Sequence, residues 1–440
     1  MGKPGSGRAA SWALLALGIA GIAALWRTGA LAGEHGWVGP FLRGYFAAWV
    51  CYAAAGVVAS RAGRQPRWLL VWIVIAAIGM RLVCLARTPP LSTDVWRYLW
   101  DGRVTNAGIN PFRYAPNAPQ VEQLRNGNWR PINFKHISTI YPPAAEMLFA
   151  GLARVRDRDA EAFRWAFALF DIGSVLALIA LLQRTGRPPE RVVWYAWCPL
   201  VVTEVTAGAH VDAFAMFLLL VALLLAARAG PRQGPASGLA LAGAVMAKGY
   251  ALLAVPFFVR RGGGRVLWPF LGVCLALLAP YLAAGRRLFG GLSAYLGAWE
   301  TNASLFLIID RLLGEVTDVH FGLTRVLTVV AVLSVVAWLT WRQRPGTEPL
   351  LAATFAAFGV QLFVGAPTLP WYVIWLAPAL CWWTIPGLAL FTLTVSAQYY
   401  ARWLLPGDRA AHYALLWAGY VPVYALLAGQ LIWARRRRRR

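Results

Sequence analysis

Trp68-Leu69-Leu70-Val71-Trp72-Ile73-Val74-Ile75-Ala76-Ala77-Ile78-Gly79-Met80-Arg81-Leu82-Val83-Cys84-Leu85-Ala86 is an apolar run, and Ser92-Thr93-Asp94-Val95-Trp96-Arg97-Tyr98-Leu99-Trp100-Asp101-Gly102 follows it. The first stretch is long enough to cross a bilayer as a helix. The second lies in a polar loop, Arg87–Tyr141, and carboxylates at a membrane boundary are costly enough to need a reason. Acid–base chemistry on a molecule that lives in the membrane would supply one.

Similar apolar runs recur along the whole chain. Of its 440 residues, 59% are hydrophobic and only 14% charged, against a globular norm of roughly 25% charged. The sequence therefore predicts an all-α, polytopic membrane protein with one transmembrane domain over 1–440. No separate soluble domain and no cleavable signal peptide are expected, since Ala9–Trp26 is apolar enough to remain a span. The formal net charge is +24. On a soluble chain this would point to nucleic acid. Here the basic residues gather in short loops between apolar runs, so membrane lipids are the expected partners and nucleic acid is not. The run Arg435–Arg440 reads as a cytoplasmic anchor. Cys51, Cys84, Cys198, Cys274 and Cys381 are scattered through apolar stretches and make neither metal spacing nor a disulfide framework.

About twelve spans are expected: Ala9–Trp26, Phe41–Ser60, Trp68–Ala86, Ala160–Leu182, Val192–Val205, Val211–Ala227, Val266–Ala284, Leu323–Leu339, Leu350–Val364, Leu369–Trp383, Ile385–Trp403 and Ala411–Trp433. With the arginine tail in the cytoplasm, Arg61, Arg64 and Arg67 fall inside. So do Arg184, Arg187 and Arg191, then Arg228 and Arg232, then Arg342 and Arg344, as the positive-inside rule requires. Gly238–Val259 does not fit a crossing. Arg232 precedes it, Arg260, Arg261 and Arg265 follow it, and Lys248-Gly249 breaks it. A re-entrant hairpin with Lys248 near its tip is the expectation. Such backbone is tolerable at membrane depth only when buried in protein or lining a cavity. Arg87–Tyr141 and Gly285–Phe321 then face away from the cytoplasm.

The residues that need a chemical explanation gather on that outer side. Asp94 and Asp101 are spaced to share one helix face two turns apart, with Arg97 roughly on the same side. Asp94 could simply pair with Arg97 at the interface. A long ordered outer loop, however, is the sort of element that carries function. Glu204, His210 and Asp212 fall within one short stretch between two apolar runs, a functional cluster by default in a membrane. His-x-Asp supplies two potential metal ligands, too few for a site. Hydrogen bonding to a sugar or phosphate is at least as good a reading, and so is a helix cap by Asp212. Lys248, a lone ammonium among apolar residues, wants an anion; a phosphate would serve, as would snorkelling. Trp299, Glu300 and Asn302, Trp371 and Tyr372, and Arg402 with Arg409 make a looser outer set. The aromatics read either as belt anchors or as stacking surfaces. Walker, Gly-x-Ser-x-Gly and His-Glu-x-x-His motifs are absent, as is the internal repeat of many transporters.

Three stretches together, Asp94-Val-Trp-Arg-Tyr98 with Trp100-Asp101-Gly102, Gly108-Ile-Asn110-Pro111-Phe112, and Ile140-Tyr141-Pro142-Pro143, resemble the first outer loop of bacterial polyprenyl-phosphate-mannose-dependent mannosyltransferases. These are GT-C glycosyltransferases akin to the alpha-1,6-mannosyltransferases of mycobacterial lipoglycan synthesis. Glu204 with Gly208-Ala209-His210-Val211-Asp212, Lys248 and Leu369-Pro370-Trp371-Tyr372 resemble the same group. The resemblance implies a bacterial plasma-membrane enzyme with an extracytoplasmic active site. Its partners would be a polyprenyl-phosphate sugar donor and a lipid-linked or glycan acceptor, with inversion at the transferred sugar. The family's catalytic aspartate maps onto Asp94. Lys248 and Arg402 are then the expected phosphate ligands. Arg97, Asp101, Tyr141, Glu204, His210, Asp212, Trp371 and Tyr372 would be substrate-side residues, with a divalent metal left open. The competing class is a transporter or flippase of a lipid-linked saccharide, which explains the spans but not an ordered outer loop with two carboxylates.

Overall fold

The structure, a computed structural model, describes residues 6–29, 36–61, 65–228, 233–405 and 407–438. Arg64, Arg232, Arg439 and Arg440 lie outside them. The described residues contain nineteen α-helices, in chain order: α1 Ser6–Trp26, α2 Val38–Arg61, α3 Arg67–Arg87, α4 Asp94–Asn106, α5 Pro143–Val155, α6 Glu161–Arg184, α7 Val193–Ala196, α8 Pro199–Thr206, α9 Asp212–Ala226, α10 Gln233–Ala247, α11 Val255–Gly262, α12 Gly264–Leu278, α13 Gly290–Ala298, α14 Leu305–Gly314, α15 His320–Arg342, α16 Thr347–Val364, α17 Pro386–Thr394, α18 Ala397–Leu404 and α19 Arg409–Arg438. Among the described residues no β-strand occurs, only an isolated bridge between Thr301 and Pro367.

Among the described residues, eight helical segments are long and apolar enough to cross a membrane: α1, α2, α3, α6, the α12–α13 unit, α15, α16 and α19. About twelve were expected, and the other four expected runs are not single long helices. Val192–Val205 is cut by a bend at Trp197-Cys198 and restarts at Pro199. Leu369–Trp383 is two 3-10 turns, each led by a proline, Pro370 and Pro378. Ile385–Trp403 divides between α17 and α18. Val211–Ala227 is helical but spans only Asp212–Ala226. Hydropathy counts such segments as crossings; proline, which lacks an N–H, breaks their helices. Residues 190–213 and 370–382 are buried throughout. Irregular backbone at membrane depth needs that protein surround.

Two ends of the bundle are distinct. At one, Arg187 pairs with Glu348 at 2.7 Å and Arg191 donates to the Cys381 carbonyl at 2.6 Å. Arg261 donates to the Gly346 carbonyl, and Gln430 near the end of α19 donates to the Thr384 carbonyl. α10 begins and α11 ends at this arginine end, around a cavity of about 510 Å³ lined by Gln233, Ser237, Arg261 and Arg265. Between them Lys248 is extended, at φ −153° and ψ 119°, and the chain turns back through a 3-10 stretch, Gly249–Ala254.

At the opposite end, residues 87–141 form a folded layer. α4 begins on Asp94, where a carboxylate favours the helix dipole. Pro143 opens α5 from an extended Pro142, the position at which proline costs no hydrogen bond. α4 and α5 pack closely: a Cβ on Gly102 would lie 2.3 Å from the Phe149 carbonyl oxygen. Trp100, Val104, Val121 and Ile132 make a small core within the layer. Asn110 Nδ2 donates to the Tyr281 carbonyl at 3.1 Å, and Phe112 meets the Tyr281 ring. The loop is therefore tied to the 279–299 segment over the cavity described next.

Candidate active site

A cavity of about 350 Å³ opens between the outer layer and the bundle. Six aromatic side chains line it: Phe134, Tyr141, Tyr295, Trp299, Trp371 and Tyr372. The charged groups at its wall are Asp94, Arg97 and Lys248.

Asp94 sits in the first turn of α4, its side chain 18% exposed. Asn133 Nδ2 donates to its Oδ1 at 3.0 Å and also to Thr93 Oγ1 at 3.2 Å. One carboxylate oxygen is thus fixed from the far end of the loop. Its Oδ2 lies 3.7 Å from Nδ1 of His210.

Arg97 pairs with Asp101, Nε to Oδ2 at 2.9 Å, and Nη1 donates to the Ile137 carbonyl. The helical i,i+4 spacing makes that pair. Asp101 does not line the cavity. It is 2% exposed. Burial pushes its carboxyl up, and the Arg97 guanidinium pulls it back only in part. Glu146, at the start of α5, is buried nearby and accepts from Thr139 Oγ1 at 2.5 Å. Burial, then the neighbouring Asp101 charge, pushes its carboxyl well up. This layer holds Arg97 against the cavity.

Lys248 has an anion within the protein. Its Nζ lies 3.2 Å from Asp212 Oδ2, and Trp375 Nε1 donates to Asp212 Oδ1 at 2.7 Å. Nζ also lies 5.7 Å from the Tyr141 ring centre and 5.3 Å from that of Tyr372, within cation–π range. The lone-ammonium expectation is corrected to a paired one. Lys248 still reaches the cavity, 17% exposed. Tyr372 and Tyr295 hold each other, hydroxyl to hydroxyl, at 2.5 Å.

Glu204, His210 and Asp212 are fully buried and stand behind the wall. α8 ends in a tight turn. Ala209 has φ +51°, and a Cβ on Gly208 would lie 2.7 Å from the Glu204 carbonyl oxygen. That turn folds His210 back over Glu204, with Nε2 3.3 Å from Glu204 Oε2. Tyr399 donates to Glu204 Oε1 at 2.5 Å. The His210 ring stacks on Trp371 at 3.8 Å and 16°.

Asp94, Arg97, Tyr141, Lys248, Trp371 and Tyr372 thus share one cavity; Asp101, Glu204, His210 and Asp212 support it. The Arg402 side chain lies outside the described residues. Among the described residues no group of three or more His, Cys, Asp or Glu is set to hold a metal ion. Asn133, Tyr295, Tyr399 and Trp375 escaped the sequence reading, because nothing local links them to Asp94 or Asp212. A second cavity of about 420 Å³ adjoins the first, sharing Thr301, Gln398 and His412.

Residues 5–261 match the family model described as alpha-(1->6)-mannopyranosyltransferase, N-terminal domain. The chain belongs to that family. This mannopyranosyltransferase family is of the GT-C type. A relative from Mycolicibacterium smegmatis (strain ATCC 700084 / mc(2)155), described as a probable alpha-(1->6)-mannopyranosyltransferase, is 25% identical over 387 residues. The match covers 74% of this chain and 66% of that protein, just under two thirds of the relative's length. The family match includes Asp94, Glu204, His210, Asp212 and Lys248, and stops before Tyr295, Trp371 and Tyr372. Neither comparison supports the transporter alternative.

Proposed function

We propose that this chain transfers mannose from a polyprenyl-phosphate donor to a hydroxyl of a glycan or lipid-linked acceptor, with inversion. The observation that carries the reading is the cavity itself. It presents one partly exposed carboxylate, Asp94, and one ammonium, Lys248, inside a wall of aromatic rings. A polyprenyl phosphate is already a good leaving group, so two tasks remain. The acceptor hydroxyl must lose its proton to a positioned base, here Asp94. The departing phosphate must meet fixed cations, here Lys248, with Arg97 beside it. Aromatic faces suit the apolar faces of a sugar and the first isoprene units. The adjoining cavity provides a second approach, for the acceptor. The positive-inside rule puts the arginine end in the cytoplasm, which turns the cavity to the extracytoplasmic side.

The test is stereochemical. Transfer by purified protein from an anomerically defined polyprenyl-phosphate mannose should give a linkage of the opposite anomeric configuration, read by NMR of the product. Retained configuration would point to a covalent intermediate and remove Asp94 as a simple base.

Lys248→Ala should raise the donor Michaelis constant about ten- to a hundred-fold, the value of one charge-assisted contact. The acceptor constant should move little. Because the substitution also strands Asp212, Lys248→Ala with Asp212→Asn should show the same donor defect with recovered thermal stability. An unchanged donor constant in both variants takes Lys248 out of the phosphate site.

A further inference from the structure

Behind the cavity wall stands a chain of three ionisable groups: Asp94, His210 and Glu204. Nδ1 of His210 faces Asp94 at 3.7 Å and Nε2 faces Glu204 at 3.3 Å. The ring has no exposure and lies on the face of Trp371, itself a cavity residue. Its backbone approach runs through Ala209 in a left-handed conformation that an alanine adopts at a cost. Filling the core would not require this. An apolar ring would pack there without the expense of burying two polar nitrogens.

We infer that His210, backed by Glu204, is a positioning residue that takes from Asp94 the proton removed from the acceptor. The inference rests on Asp94 being the base. The fitting tautomer of the neutral ring directs Nε2–H to the Glu204 carboxylate and leaves the Nδ1 lone pair facing Asp94. During transfer the acceptor oxygen forms its bond to the sugar C1. The C1–O bond to phosphate breaks, and its electron pair leaves with the polyprenyl phosphate. The acceptor proton goes to Asp94 and then, as the 3.7 Å separation shortens or through one water, to Nδ1. The resulting imidazolium lies between the carboxyl groups of Asp94 and Glu204 and over an indole face that favours the cation. After product departs the proton returns through Asp94, whose side chain is 18% exposed in the cavity, to water, and Asp94 is again an anion. The groups placed around the ring are Asp94 of α4, Glu204 of α8 with Tyr399 of α18 on its other oxygen, and Trp371 of the 370–375 turn.

The experiment is chemical rescue of His210→Ala by free imidazole, with purified full-length protein, polyprenyl-phosphate mannose and a mannoside acceptor. kcat should fall by about 10²-fold, within the range for lost proton transfer, with the donor Michaelis constant within about three-fold. Imidazole should restore at least about ten-fold of that loss by entering the vacated space. Undiminished turnover, or a folded variant that imidazole fails to rescue, overturns the inference. Should His210→Ala not fold, Glu204→Gln decides. A drop in kcat of about ten-fold or more, at an unchanged donor constant, supports the relay, and unchanged kcat overturns it. Asp94→Asn is measured alongside. If it remains active, the base assignment fails and the relay with it. If it is inactive while His210→Ala is not, only the relay fails.

Discussion

Asp94→Asn should lower kcat by about 10²–10⁴-fold, the typical cost of losing a general base, while leaving the donor Michaelis constant within a few-fold. The substitution keeps the shape of the side chain. Asn133 can go on donating to the retained oxygen, as it does to Asp94 Oδ1 at 3.0 Å. Lys248 keeps its partner Asp212, and Arg97 keeps Asp101. The ion pairs that shape the cavity should therefore survive, and so should thermal stability. What changes is that an amide cannot take the acceptor proton. Steady-state kinetics of the purified variant checks this. Turnover within a few-fold of the parent protein means that Asp94 is not the base.

Arg81→Met should destabilise the protein by about 3–5 kcal/mol, the cost of breaking a buried ion pair from one side. Arg81 in α3 and Asp171 in α6 are 2% and 0% exposed and meet at 2.5 Å. Arg81 Nη1 also donates at 2.8 Å to the carbonyls of Ala77 and Ala196. Ala196 ends α7, so Arg81 supplies a donor where the chain stops being helical. Tyr195 donates to the other oxygen of Asp171 at 2.6 Å. Removing the guanidinium leaves a buried carboxylate with one hydroxyl partner and strips two carbonyls of a donor. Thermal unfolding in detergent is the measurement. Arg81→Met with Asp171→Leu should recover part of the loss, since an apolar pair can replace a buried ionic one. Recovery should be incomplete because the Ala196 carbonyl stays without its donor. A single variant that melts like the parent contradicts the role given to this pair.

The apolar runs from α1 to α3, α6, α15, α16 and α19 were legible in the sequence, since length and hydropathy alone define a crossing. Val192–Val205 and Leu369–Trp383 were expected as single helices and are instead broken, for a physical reason. Composition counts their apolar residues, but a helix that breaks at membrane depth needs protein around it, and residues 190–213 and 370–382 are buried throughout. The carboxylate–cation pairing divides in the same way. Arg97 with Asp101 is an i,i+4 pair that helix geometry makes readable. Lys248 with Asp212 joins residues far apart in the chain through the turn between α10 and α11, and no spacing rule reports it. The approach of His210 to both Asp94 and Glu204 likewise needs the left-handed Ala209, which pattern alone does not reveal. The site residue types were visible in sequence; which of them face the cavity was a matter of tertiary packing.

The most direct measurement of the central claim is a donor comparison. Purified protein in lipid nanodiscs is given labelled mannose either as polyprenyl-phosphate mannose or as a nucleotide-linked mannose, with a mannoside acceptor. Label should enter the acceptor from the lipid phosphate alone, and Asp94→Asn should abolish that incorporation. Incorporation from the nucleotide sugar, or none from the lipid phosphate by an otherwise folded protein, would contradict it.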